Sequence, residues 1–212
     1  MNTPSLTIRP LAGLADPLLS PLLTVYETAF TYAFREDVPV FRQTIEDGEV
    51  IVEIAVDNAS DGSPAGFFAW SPVTASDGRS FLYLPYLAVE ESYRGKGIVG
   101  AALWNALADT AERRGAHAVL LEVEMPEDDP ECWARRIRFY QRRPRWPARL
   151  LQGGYHYIQK IDGRDTNPAM WLMAAAPADA PLTPDEAYGA CKECFGEMLT
   201  RTEDDLRLES DS

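Results

Sequence analysis

The sequence predicts an α/β fold built on a mixed, mostly antiparallel sheet, and three patterns carry that prediction. Glu49 to Asp57, Ala65 to Val73 and Phe81 to Val89 are successive runs rich in β-branched and aromatic residues, joined by short turn-forming segments, as in a meander of antiparallel strands. A helical stretch follows with Val99, Leu103, Ala106, Leu107 and Ala111 on one face, and it leads into the apolar run Ala118 to Val123. Strand, helix, strand over that length makes a right-handed parallel crossover, so the fourth and fifth strands should form a parallel pair.

The remaining elements fill out about six to seven strands flanked by four to five helices. Ser5 to Arg9 reads as a first strand. Asp16-Pro17 supplies an N-cap and first turn for a helix expected to run to about Phe34. Pro39 to Asp47 reads as a shorter helix stopped at Gly48. Glu49 to Asp57 places Val50, Val52, Ile54 and Val56 two apart, the mark of one buried face. Asn58 to Pro64 and Ser76-Asp77-Gly78 are turns. Pro85 interrupts the third run and cannot donate to a ladder, so it marks an edge, a bulge or a place where neighbouring strands part.

After Val123, Asp129-Pro130 caps a helix of roughly Glu131 to Arg143. Its wheel puts Trp133, Ile137 and Tyr140 on one face and Arg135, Arg138 and Arg142 on the other. Tyr155 to Ile161 and Met170 to Ala175 read as closing strands around the loop Gly163 to Pro168. Thr183-Pro184-Asp185-Glu186 is a capping box for a final helix to about Thr200. Thr202 to Ser212 reads as a disordered acidic tail.

Composition narrows the function. The 212 residues, 46% of them hydrophobic, suffice for one substantial core. A net charge of −13 and a pI near 4.6 oppose nucleic-acid binding and favour a neutral or cationic acceptor. One local exception is the set Arg135, Arg136, Arg138, Arg142, Arg143, Arg145 and Arg149, which reads first as a solvated face and second as an anion site. Three cysteines fit a reducing compartment. No apolar run reaches the roughly 20 residues of a membrane span, and no basic stretch precedes an apolar segment at the start, so a cytoplasmic protein is expected.

The chemistry-bearing motif is Tyr93-Arg94-Gly95-Lys96-Gly97-Ile98-Val99-Gly100, between the third long strand and its helix. Glycines there can adopt positive φ and turn successive N–H groups toward one anion, while the helix start adds its free N–H groups and dipole. A phosphate-bearing ligand follows. Cys191 and Cys194 align with Ala187, Ala190 and Met198 on a helical stripe, which reads as core, and His117 and His156 lack partners for a triad or a metal. No metal is expected.

The element order, with Leu87-Ala88-Val89 running into Arg94-Gly95-Lys96-Gly97-Ile98 and then Arg136-Ile137-Arg138-Phe139-Tyr140, resembles the GNAT superfamily of acyl-CoA-dependent N-acetyltransferases. The likeness covers about Ser5 to Ala176. It implies the GNAT fold over 1–176, a helical extension over 177–201 and the tail over 202–212. It further implies that Leu87, Ala88 and Val89 offer backbone groups to pantetheine, that N–H groups from Gly95 to Gly100 hold pyrophosphate with Arg94 and Lys96 nearby, and that Tyr140 stands near the thioester sulfur. Acetyl-CoA, or another short acyl-CoA, is the implied co-substrate. Three departures stand out: Val99 where the signature has a small residue, Pro144-Arg145 after the tyrosine, and Trp133 and Arg136 earlier in that helix.

The expected reaction is direct attack of a primary amine, from a small molecule or peptide, on acetyl-CoA in a ternary complex. A phenol with a pKa of about 10 is protonated at neutral pH, so Tyr140 is the candidate acid. Tyr83 to Tyr86 hold no Asp, Glu or His. Glu122 and Glu124 share one face of the next strand, and Glu124, nearer the ligand end, is the candidate base beside a water chain. The alternatives are a catalytically weak acyl-CoA sensor of the same fold and, using the arginine-rich helix, an acylator of aminoacyl-tRNA. The segment beyond Ala176 is free to pack on its own sheet or on a second copy, as a homodimer.

Overall fold

The structure is a computed structural model that describes residues 4–60, 62–124, 129–151, 156–158 and 169–195. Its strands are β1 (Leu6–Pro10), β2 (Ile51–Asp57), β3 (Pro64–Thr74), β4 (Ser80–Val89), β5 (Ala118–Glu124), β6 (Ala148–Leu150), β7 (His156–Ile158) and β8 (Ala169–Ala175). The helices are α1 (Leu19–Ala29), α2 (Val38–Glu46), α3 (Ile98–Arg113), α4 (Pro130–Gln141) and α5 (Pro184–Phe195). Hydrogen bonding orders the strands β1-β2-β3-β4-β5-β8-β6, with β7 beside β8. The chain divides into two units, Met1–Ser71 with Leu84–Thr110 and Pro72–Tyr83 with Ala111–Ser212, so that β4 changes unit just before Pro85.

In the first unit β1, β2 and β3 form an antiparallel meander, with Ile8 opposite Ala55 and Ile54 opposite Phe67. Leu22, Tyr26 and Phe41 from α1 and α2 cover Ile54, Phe67 and Tyr86 in one apolar cluster. The rings of Tyr26 and Phe41 stack at 4.4 Å, and Tyr86 meets Tyr26 edge-on at 4.9 Å. The two buried hydroxyls are satisfied around one loop residue: Tyr26 donates to Glu36 O at 3.1 Å, and Glu36 N–H donates to Tyr86 Oη at 3.2 Å. Gly66 has no room for a side chain, because a Cβ there would stand 2.5 Å from Ala88 O and 3.0 Å from Leu103 of α3. Its absence lets β3, β4 and α3 approach closely.

The second unit contains the parallel pair. His117 N–H donates to Ser80 O at 2.8 Å, and farther along both strands the Tyr83 hydroxyl donates to Glu122. Both strands therefore advance in the same direction. β8 runs antiparallel to β5, with Val119 opposite Ala175 and Glu124 opposite Met170, and it also pairs with β6 and β7.

Most element limits agree with the sequence pattern, and three do not: α1 begins only at Leu19, with Leu18 instead of Asp16 at its N-cap. The first helix stops at Ala29 instead of Phe34, because Phe30 turns extended (φ −119°, ψ 126°) and its ring packs 5.1 Å from that of Tyr86. β6 has no sequence signal, since it is three residues long and follows Pro147. Predicted starts and stops are realised elsewhere: Asp129 accepts from Cys132 N–H at 2.8 Å, and Thr183 and Glu186 bond each other's backbone N–H as a capping box. The loop 163–168, the end of the final helix and the tail 202–212 lie outside the described residues.

Asp16 instead organises the turn ahead of α1. It is 6% exposed, binds Arg9 Nη1 at 2.6 Å and accepts from Ala12 and Leu18 N–H groups at 2.9 Å each. The Arg9 bond holds its carboxyl well below the usual carboxylate range, despite burial pushing the other way. Such a group stabilises the fold above the pKa of the unfolded chain and ceases to as pH falls through its native value. Asp16→Asn should cost about 2 to 3 kcal/mol at pH 7, and the deficit should shrink below about pH 4, as read by denaturant titration at both pH values.

Candidate functional site

The turn between β4 and α3 has the backbone its glycines predict. Gly95 and Gly97 lie at φ +79° and +71°, and α3 opens at Ile98 with Ala101 N–H donating back to Gly97 O at 3.1 Å. The N–H groups of Ile98, Val99 and Gly100 are the first of the helix and have no intrahelical acceptor. Space beside the glycines is open, since a Cβ at Gly95 or Gly97 would meet nothing within 4 Å. Arg94 and Lys96 are exposed, and Arg94 Nε donates to Val89 O at 2.8 Å, tying the turn to the strand end. Val99, the departure from the small residue of the signature, is 1% exposed. Its side chain is spent in the interior, so its bulk is turned away from solvent and its N–H stays at the helix start. These residues fit a phosphate group.

Ahead of the turn, Ala88 is buried with the first unit's core, whereas Leu87 and Val89 are half-buried. The turn is braced from behind. Tyr93 Oη donates to Asp57 at 3.2 Å, and Glu90 accepts from Ser92 N–H at 2.9 Å.

A second set of groups lies along β5 and α4. Asp129 and Pro130 start α4 as predicted, Ile137 is buried, and Arg135, Arg138 and Arg142 are exposed. The arginine-rich stretch is partly consumed internally. Arg136 is ion-paired with Glu124, Arg143 stacks 4.3 Å from the Phe139 ring, and Arg145 binds Glu112 at 2.8 Å. Tyr140 is pushed up to about 12, by burial first and by the Glu124 charge, with Arg136 opposing. Its phenol is therefore protonated throughout the neutral range.

Glu122 and Glu124 are two apart on β5 and share a face, about 7 Å from each other along the strand. Their surroundings differ. Glu124 has Arg136, whereas Glu122 Oε1 accepts from the Tyr83 hydroxyl and Oε2 is covered with no hydrogen-bond partner among the described residues. Burial alone raises the Glu122 pKa well above the carboxylate range. The sequence reading noticed this carboxylate but missed Tyr83, because a cross-strand pair needs the β4–β5 register to be known.

Of the other candidates, only Cys191 is seen packed in the core. Cys191 is fully buried in α5 beside Ala187 and Ala190, while the side chains of Cys194 and His156 lie outside the described residues. His117 is exposed and 6.0 Å from the Phe81 ring. Among the described residues no three His, Cys, Asp or Glu side chains gather as a metal site.

Residues 19–143, more than half of the 212, match the acetyltransferase (GNAT) family. The chain belongs to that family. No curated protein sequence matches this one. Among solved structures, the GNAT fold here is similar to a putative GNAT-family acetyltransferase from Bacteroides thetaiotaomicron, at 20% identity and a TM-score of 0.65 over 93% of this chain and 99% of that one. It is also similar to Arabidopsis thaliana NAA60 in complex with a bisubstrate analogue, at 20% identity and a TM-score of 0.56 over 80% and 97% of the two chains. The same Arabidopsis protein is known in complex with acetyl-CoA. An IAA acetyltransferase from Bacillus cereus aligns at 17% identity with a TM-score of 0.54, over 81% of this chain and 99% of that one.

Because Glu124 raises and Arg136 lowers the Tyr140 pKa, Glu124→Gln should move the phenol down from about 12. Carbon-13 NMR of ring-labelled tyrosine, titrated toward alkaline pH, reads that shift. An unchanged titration would mean that the ion pair does not act on Tyr140.

Proposed function

We propose that this GNAT protein is an acyl-CoA-dependent N-acetyltransferase acting on a primary amine of a small molecule or peptide. The observation that carries the reading is the start of α3, where two glycines at positive φ bring unpaired N–H groups and open space together. Gly95 to Gly100, with Arg94 and Lys96, are the residues that would hold the pyrophosphate, and backbone groups of Leu87, Ala88 and Val89 the pantetheine. Acetyl-CoA supplies an activated acyl group and a thiolate leaving group.

This chain's own side chains then manage charge and protons. An N–H at the end of β4, near Val89, would face the carbonyl oxygen as it gains charge. Tyr140, protonated to about 12, gives a hydrogen bond and then a proton to the sulfur. Glu124, the candidate base from the sequence, is engaged by Arg136. In this reading Glu124 and Arg136 chiefly set the field around Tyr140.

The overall charge of −13 steers cationic amines toward the protein and anionic acceptors away, and it disfavours the aminoacyl-tRNA alternative. Among the described residues no helix is long and apolar enough to cross a membrane. We place the reaction in the cytoplasm.

Mass-detected acetylation of a pooled amine and peptide library, with and without acetyl-CoA, tests the activity. Tyr140→Phe should lower kcat by about 100-fold while CoA affinity stays within threefold. CoA binding with no product from any amine would instead favour the acyl-CoA sensor of the same fold.

A further inference from the structure

Glu122 is half-buried, but its Oε2 is covered and has no hydrogen-bond partner among the described residues. It projects from the middle of the sheet, with Tyr83 of β4 on one side and Leu172 of β8 opposite it on the other. Leu172 is fully buried, and its side chain offers no donor on that flank. A carboxylate has room for several hydrogen bonds, yet only Oε1 has a partner among the described residues. Leaving a buried oxygen unsatisfied is costly, and a Gln or Leu would remove the cost at this position. A carboxyl held there against its own solvation energy points to use in chemistry.

We infer that Glu122, reached through the hydroxyl of Tyr83, is the base that deprotonates the acceptor amine. This rests on the acetyltransferase reading and names the proton acceptor that the reading lacks. The route is short. As the acceptor ammonium gives a proton to the Tyr83 oxygen, the Tyr83 hydroxyl proton passes to Glu122, leaving a free amine. The amine nitrogen bonds to the acyl carbon and the carbon–sulfur bond breaks. Tyr140 protonates the sulfur, and the second proton lost by nitrogen replaces the one Tyr140 gave. Glu122 returns its proton to solvent, so one amide, one thiol and one proton leave for each ammonium and thioester consumed.

Burial raises the Glu122 pKa, with no charged neighbour contributing to the shift, which makes its carboxylate a stronger base than an exposed one. On its own strand Glu124 is ion-paired with Arg136 of α4, and α4 also carries Tyr140, pushed up to about 12. On β8 the facing residues are Leu172 and Met170, which do not titrate. Glu186 of α5 interacts with His117, at the other end of β5.

Two readouts on the full chain test this, one of which does not need turnover. First, a carboxyl with a raised native pKa binds its proton in the folded state while the unfolded chain has lost it. Wild-type stability should therefore fall as pH rises above about 4.3, the unfolded value, toward the native one. Glu122→Gln lacks that slope, so its Tm relative to wild type should rise by about 3 °C or more between pH 4.5 and pH 8. A Tm difference independent of pH would overturn the inference.

Second, Glu122→Gln and Tyr83→Phe should each lower kcat on an alkyl amine by about 100-fold. Their CoA affinity should stay within threefold. On a weakly basic amine, already neutral at the assay pH, the loss should fall below tenfold, because no proton need be removed before attack. A Glu122→Gln kcat within threefold of wild type on the alkyl amine would overturn the base assignment and leave the acetyltransferase reading intact. Wild-type protein that binds CoA and acetylates no amine would overturn both.

Discussion

The central constraint on this protein is that the backbone must leave N–H groups unpaired between β4 and α3. Away from water each orphan donor is costly, whereas residues 94–98 are exposed and only Val99 and Gly100 are buried. Here the cost is contained by geometry. Gly95 and Gly97 take positive φ, α3 begins at once at Ile98, and the orphan groups coincide with those any helix start leaves open. What surrounds the turn serves to hold it. Tyr93 reaches the buried Asp57 at the end of β2, Arg94 returns to the end of β4, and Val99 drives its side chain into the interior.

The second unit shows the complementary strategy, in which side chains instead of backbone carry the unfavourable element. Two carboxylates on one face of β5 receive opposite treatment. Glu124 is given an arginine, and Glu122 is given a phenol and, among the described residues, no further partner. One carboxylate is thus paired with a cation, and the other sits where burial raises its pKa.

Much of this was legible in the sequence, for reasons that differ by element. Long elements with clean periodicity, such as β2, α3 and the inward face of α4, declare themselves because burial enforces the pattern residue by residue. Caps at Asp129 and Thr183 are readable because their partners lie within three residues. The turn at Gly95 and Gly97 is readable because no other residue adopts positive φ at so little cost. What was not legible is non-local. β6 is too short to carry a pattern, α1 ends where a ring 56 residues away along the chain attracts Phe30, and the Tyr83–Glu122 contact exists only through strand register. Val99 illustrates the same limit in reverse, since a sequence motif treats it as an obstruction while its burial shows where its bulk goes.

The most direct measurement of the central claim is a calorimetric titration of CoA into the full chain and into Gly97→Val, which places a side chain and backbone strain in the cradle together. The account predicts wild-type binding with Kd of about 1 to 100 μM, and binding at least tenfold weaker in a variant that still unfolds cooperatively. Wild-type protein that does not bind CoA at millimolar concentration, or a folded variant that binds it equally well, would contradict the account.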